Sequence, residues 1–545
     1  MKLNIKLYGL LLIVVTLITS SCTDMLDVER HGATNVDDFY KNDDEAMQAL
    51  AAVYGFMTTT NWHAFEYLAT NVVSDDTYTG GGSRGSIYEE INEYRHTPDT
   101  KQVADLYKAY YNTIYRCNLV INKINGDASH VCKRCVAEAK VLRAFVYLRL
   151  ASYFGSCPII VDILDAGSYQ KPNNTQAEIF VQIEKDLMEA ISAGVLFEKS
   201  SVNDQQAHVT KQTAQALLGK SYVYESSYLG TNRWSDARTV LSEVINSKKY
   251  ELFKGDYINI WHKKGRFSAE SMFETNCYPD QQNMISTWGY AYFGWRMERF
   301  NQSQLSAANN TGANISKEKV WGFLNPTKSL YDAFVAEESE SGYRLNQTIT
   351  TYKQLTEYPL TILKGNSVYG NEGYFENKMV PTLDDEITPE LWAKNQVFLR
   401  YAEVLLLAAE AELPEYGGSQ EKVDKYMNEI RLRAKVLNLP GGYTLADIQR
   451  EKRLECCFEG TRFPDLVRWG LAEHYLKDQG KKIPSLYGLA DGTDNNSELN
   501  ENVSGYNVSY YETTSKGFQK NKHEFFPIPQ GELNVNPYAE QHTGW

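Results

Sequence analysis

Two stretches, 101–124 (KQVADLYKAYYNTIYRCNLVINKI) and 136–156 (VAEAKVLRAFVYLRLASYFGS), constrain the fold of this chain more than any other part of it. Both carry long helical patterns, and the second is apolar almost all round, so it is predicted to lie sandwiched between neighbours. Arg143 and Arg149 within it are then expected to bridge helices rather than to bind a ligand. Further helices are expected at 176–193, 209–228 and 234–247. An earlier one opens at the Asp-rich Val36-Asp37-Asp38 and shows Met47, Leu50, Ala51 and Tyr54 at i, i+3, i+4 and i+7. Helix pairs with short joins predict an α-solenoid, although the spacing follows no fixed period.

The first thirty residues carry an address. Lys2 and Lys6 precede an apolar run from Leu10 to Ile18, which is followed by Thr19, Ser20, Ser21 and Cys22. Thr-Ser-Ser-Cys resembles the lipobox of bacterial lipoproteins, in which the cysteine is lipidated and the preceding peptide removed. That resemblance implies a signal peptide over 1–21 and an acylated Cys22 on a tether reaching to about residue 35. Acyl chains would then hold a soluble body on a membrane surface without crossing it.

The formal charge of −14 argues against nucleic acid and anionic lipid as partners. Tyr is abundant at 38 residues, with 9 Trp, and such rings pack flat on apolar C–H faces. If Cys22 is lipidated, seven of the eight cysteines remain, so at least one stays unpaired within the monomer. Cys132 and Cys135 form an isolated C-x-x-C, read as a structural disulfide or as inert thiols at a helix start rather than as a metal or redox site. No HExxH, P-loop or dinucleotide fingerprint is present, and neither a cofactor nor a metal is expected.

Between the helical regions, Val72 and Val73 suggest a short strand, leading to Asp75, Tyr78 and the glycine-rich loop Gly80-Gly81-Gly82-Ser83-Arg84-Gly85. Gly81 to Gly85 matches G-x-S-x-G, but the polar approach to it favours a mobile loop over a hydrolase elbow. Residues 251–395 turn irregular and aromatic, with Trp288, Tyr290, Tyr292, Trp295 and Arg296 crowded together. Either a binding platform or a buried strand with one aromatic face fits that crowding. A helix is expected over 396–412, where Glu403, Glu410 and Glu412 invite a paired-carboxylate reading as in a glycosidase. Ion pairs to Arg431 and Arg433 of the next helix (420–437) account for them more economically. Gly460 is then expected at the C′ position of the helix ADIQREKRLECCFEG, with Thr461 capping the helix after it and Pro464 in that helix's first turn. From about 479 the tail reads as polar loop.

Several segments together resemble one family, the SusD/RagB outer-membrane lipoproteins of Bacteroidetes. They are Ser21-Cys22 with Asp24, AEAKVLRAFVYLRLASYFGSCPII at 137–160, HVTKQTAQALLGKSYVYE at 208–225 and WSDARTVLSEVINSKKYEL at 234–252. FLRYAEVLLLAAEAE at 398–412, NEIRLRAK at 428–435, IQREKRLECCFEGTRFPDLVRWG at 448–470 and the FFPIP of the tail continue the match. The resemblance implies a mainly α fold: a tetratricopeptide-like right-handed helical superhelix with long irregular loops and little β structure. It divides the mature chain into an N-terminal helical region (36–250), an irregular ligand face (251–395) and a C-terminal region (396–545). It also implies a non-enzymatic, outward-facing lipoprotein that passes oligosaccharides, or in some branches peptides, to a SusC-like TonB-dependent transporter. The residues themselves nominate Asp75, Tyr78, Trp288, Tyr290, Tyr292, Trp295 and Arg296 as ligand contacts. A peptide-capturing relative, a surface glycoside hydrolase and a protein-gripping scaffold are the alternatives.

Overall fold

A computed structural model describes residues 39–545 apart from 125–128, 200–206, 278–294, 316–319, 489–500 and scattered one- and two-residue positions. Helices α1 (Asp43–Met57), α2 (Thr60–Val72), α3 (Lys101–Lys123), α4 (His130–Tyr153), α5 (Gln176–Ser192), α6 (Lys211–Leu229) and α7 (Trp234–Asn246) form the N-terminal half. Neighbours in sequence are neighbours in space, α4 lying between α3 and α5, and α6 packing on both α5 and α7. The arrangement is the expected mainly helical, tetratricopeptide-like one. Nearly every residue of α4 from Ala137 to Tyr153 is buried, as its all-round apolar pattern predicts.

Local chemistry sets the helix ends. Asn42 caps α1 by accepting from the Glu45 N–H at 3.0 Å, so the helix opens at Asp43, later than its acidic approach suggests. A reciprocal Thr175–Glu178 box starts α5. Thr210 and Thr213 do the same for α6, which stops at Gly230 in the left-handed conformation. Val72 and Val73 prove to be the end of α2 and its cap; the strand comes later, at Thr77–Gly80.

Arg143 and Arg149 bridge helices. Arg143 makes a bidentate pair with Asp186 of α5 (2.6 and 2.8 Å) and donates to Asn118 Oδ1 of α3 at 2.7 Å. Arg149 lies 3.3 Å from Glu66 of α2. The seven cysteines among the described residues are all buried, with no disulfide between any two of them. Cys132 and Cys135 sit in the first turns of α4, with Cys132 against Asp43 and burial pushing both thiols up.

The C-terminal half adds α8 (Lys328–Glu338), α9 (Tyr401–Ala411), α10 (Gln420–Arg433), α11 (Leu445–Glu455) and α12 (Arg462–Arg468). The segment 397–400, expected as the start of a helix, is a buried strand paired antiparallel with Ser271–Glu274 before the chain turns into α9. Helix α11 ends at Glu455 with Cys456 as its cap, so Gly460 is not its C′ residue. Gly460 instead bends the chain at φ +68° where a Cβ would stand 2.6 Å from Thr70. Thr461 precedes α12 as expected, though without a side-chain cap bond.

The tail departs furthest from its loop-like reading. Lys482–Gly488 and Tyr506–Glu512 pair antiparallel, with Glu501–Val503 and Ser367–Tyr369 on the two edges of a four-stranded sheet. Leu486 and Val508 of this sheet join Trp295, Met297, Phe300, Tyr352, Leu355, Val368 and Phe375 in a second core beneath the irregular region.

Acids and bases inside the C-terminal half neutralise one another. Glu403 bonds Lys220 (2.8 Å) and lies 3.4 Å from Lys452, Glu410 grips Arg468 (2.5 and 2.7 Å), and Glu412 takes Lys422 (2.7 Å). The three carboxylates therefore form ion pairs as expected, but not with Arg431 and Arg433. Those arginines turn to Glu337 and Glu451, and to Glu270 and Glu455, respectively.

Glu376 behaves differently, because burial pushes its carboxyl up to about 7. An acid raised in the folded state loses stability as pH climbs from its unfolded value, about 4.3, through its folded one. Glu376→Gln is therefore expected to flatten part of the decline in melting temperature between about pH 5 and 7, and to gain about 1–3 kcal/mol above it. Parallel thermal melts of both proteins across that range would show it; identical slopes would mean that Glu376 ionises normally.

Candidate functional site

The strand Thr77–Gly80 pairs antiparallel with Phe323–Pro326, placing Tyr78 opposite Asn325 and Gly80 opposite Phe323. Beyond it the backbone runs left-handed through Gly80, Gly81 and Gly82 (φ +71°, +85° and +93°), a path that favours glycine. Close approach also excludes side chains here. A Cβ on Gly80 would stand 2.1 Å from the Gly322 carbonyl, and one on Gly82 would stand 0.9 Å from Arg296 Nη1. Gly81 N–H donates to Gly322 O at 3.1 Å. The glycine loop is thus pinned between the chain entering the second strand and the Arg296 guanidinium.

Trp321, next to Gly322, is 47% exposed, the most exposed tryptophan among the described residues with large apolar surface. Arg296 is steadied by Glu298 at 2.7 Å with part of its side chain still in solvent. On the other side of the loop, Gly85 N–H donates to Glu89 (2.5 Å), and Glu89 also accepts from Tyr369 Oη (2.5 Å). A polar cleft of about 450 Å³ opens there, with Ile87, Glu90, Arg95 and Asp99 on its walls. An aromatic plate, a guanidinium and a polar cleft around one glycine-shaped loop can hold a ligand with apolar C–H faces and many hydroxyls.

The nominated contacts divide. Arg296 lies on this face. Tyr78 is adjacent but half-buried, sharing the Glu372 carboxylate (3.3 Å) with Tyr510 (2.9 Å) and the Lys328 N–H (2.5 Å); burial pushes Glu372 up. Asp75 is removed from the face. Both its oxygens bond Arg462 (2.8 and 2.9 Å), Arg453 stands at 3.1 Å, and despite the cost of burial these cations hold its carboxyl low. Trp295 is only 5% exposed and donates its indole N–H to Glu376 O at 3.2 Å, so it is a core residue rather than an open platform. Cys22, Trp288, Tyr290 and Tyr292 lie outside the described residues. Ser83 is exposed, and its loop follows a two-stranded antiparallel ribbon, not the buried strand-to-helix turn of a hydrolase. Among the described residues, no cluster of His, Cys, Asp or Glu is placed to hold a metal ion.

Sequence reasoning missed Trp321. Its signal was present in VWGFLNP, where a large aromatic followed by glycine precedes a short apolar run, but its place near the glycine loop depends on the pairing of Phe323–Pro326 with Thr77–Gly80.

Comparison with known proteins agrees with this architecture. Residues 295–545 match the model of the SusD family, and residues 25–223 match the model described as "Starch-binding associating with outer membrane". SusD-like protein P2 of Formosa agariphila is 25% identical over 506 residues, 87% of this chain and 93% of that protein. Among solved structures, a laminarin-binding SusD-like protein superposes with a TM-score of 0.71 at 25% identity, covering 93% of this chain and all of the other. Surface glycan-binding protein A from Bacteroides thetaiotaomicron in complex with laminarihexaose gives 0.69 at 21% identity, covering 92% of this chain and 100% of that one. Fold, order of segments and both family models lead to one conclusion: the chain belongs to the SusD/RagB family.

Proposed function

We propose that this protein captures oligosaccharides at the bacterial outer-membrane surface, held there by a lipid on Cys22, and delivers them to a SusC-like TonB-dependent transporter. The observation that carries the reading is the half-exposed Trp321, the chain neighbour of the Gly322 that touches the glycine loop, with Arg296 against Gly82 of the same loop. A pyranose ring stacks on the indole, while the guanidinium and the polar cleft take hydroxyls. Binding of this kind needs neither cofactor nor metal, and no reaction is assigned to the chain. The similarity to a laminarin-binding protein makes β-glucan oligosaccharides the first ligands to try.

Calorimetric titration of the purified full chain with laminarihexaose, a wider oligosaccharide panel and a peptide pool tests the proposal. Saturable binding of a glycan without new reducing ends is the expected result. Binding of peptides alone would replace it with peptide capture, and the appearance of reducing ends would make the protein a hydrolase.

A further inference from the structure

A separate pocket of about 240 Å³ lies within the irregular region, against the second core. It is built where the strand Ile349–Thr351 pairs antiparallel with Tyr374–Glu376, between the short helices Tyr343–Thr348 and Tyr352–Glu357. Its apolar side comes from Trp295, Ile315, Leu355 and Val380, and its polar side from Asn346, Gln347, Thr350, Tyr358, Asn377 and Thr382. None of its described lining residues is charged, in a chain of which 23% is charged.

The polar groups are partly spent and partly open. Thr350 Oγ1 donates to Asn377 Oδ1 at 3.0 Å, which leaves the Asn377 amide N–H groups to donate elsewhere. Asn346 Oδ1 accepts from Gln354 at 2.6 Å and holds its own end of the wall still. Gln347 Oε1 is buried with no hydrogen-bond partner, an arrangement that costs free energy unless a ligand or water completes it. Trp295 spends its N–H on Glu376 O, so what it offers the pocket is apolar ring.

We infer that this pocket is a second carbohydrate subsite that takes a single neutral pyranose ring. The volume lies just below the roughly 300–1,000 Å³ of pockets for larger small molecules, so it suits one ring rather than a chain. Neutral amides and hydroxyls opposite aromatic and aliphatic surface match the two faces of a sugar. Neutral ligands are favoured over charged ones, because among the described lining residues no side chain carries a charge to compensate a buried one. The subsite does not depend on the Trp321 face, and the two readings fail separately.

The test is titration of the full chain with neutral monosaccharides (glucose, galactose, mannose, xylose) and with glucuronate, followed by calorimetry and by saturation-transfer NMR. Wild type is expected to bind at least one neutral monosaccharide and to reject glucuronate. Gln347→Leu removes the unpaired amide oxygen and is expected to weaken that binding about fivefold to tenfold. Ala313→Trp, which fills the pocket from another wall, is expected to abolish it. Monosaccharide binding that is lost in Trp321→Ala but kept in both pocket variants would overturn the subsite by placing that binding on the Trp321 face. Melting temperatures within a few degrees of wild type qualify each variant. No binding of any neutral monosaccharide, glucuronate bound as well as glucose, or binding unchanged in whichever pocket variant folds would each overturn the subsite.

Discussion

Replacing Glu455 by leucine is expected to destabilise the folded chain by about 3–5 kcal/mol, the usual cost of removing one partner from a buried ion pair. Glu455 is fully buried at the end of α11, where its carboxylate meets Arg344 and Arg400 at 3.0 Å each and also Arg433. Arg344 keeps Glu338 and Glu451, and Arg400 keeps Glu270 and Glu459, but three buried arginines each lose a carboxylate partner away from water. Glu455→Gln retains an acceptor of the same shape and should cost less. Denaturant midpoints for the three proteins would measure both effects. A loss below about 1 kcal/mol for leucine would mean that the cluster behaves like exposed surface pairs. Burial opposes ionisation of Glu455, yet Arg433, Arg400 and Arg344 outweigh it and hold the carboxyl far below the usual range. A carboxylate depressed in this way contributes its stability above its unfolded pKa and loses it as pH falls, so wild type and Glu455→Gln should converge only in strong acid.

Trp321→Ala is expected to weaken oligosaccharide binding by about 2 kcal/mol, roughly thirtyfold, without lowering the melting temperature by more than a few degrees. The asymmetry follows from exposure: with 47% of the residue in solvent, its removal takes away less packing than loss of a core tryptophan would. Trp321→Tyr keeps an aromatic plate and should recover most of the affinity. Titration with the best glycan of the panel measures both variants. If Trp321→Ala binds as wild type does, the ligand face lies elsewhere on the molecule. If it fails to fold, the indole is a packing element instead.

The fate of the nominated residues shows how much of the site was legible. Arg296 was nominated because it stands in an aromatic, polar stretch, and the fold sets it against Gly82. The glycine loop was found because three successive glycines mark backbone that turns left-handed or passes close to another segment. Asp75 and Trp295 look the same in sequence as Arg296 and Trp321. What separates them is burial, fixed by partners far along the chain: Arg462 and Arg453 for Asp75, and the core around Phe375 for Trp295. The carboxylates of α9 and of its cap residue Glu412 repeat the lesson. Their ion-paired state was legible from charge and helix spacing, while their partners Lys220, Arg468 and Lys422 depended on which helix faces met.

By itself the sequence determined α1, α3 to α7 and α9 to α12 and their order, though not α2 or α8, because a helix records its buried face every three to four residues and its ends in a few capping side chains. It also determined that α4 would be enclosed and that Arg143 and Arg149 would bridge helices. Only the tertiary structure decided the strands at 397–400, 482–488 and 506–512, since each is stabilised by a partner distant in the chain and its local pattern is short. The same holds for the proposed ligand face and for the pocket whose described lining is uncharged. Both are made where separate segments meet, and no single segment carries the geometry that closes them.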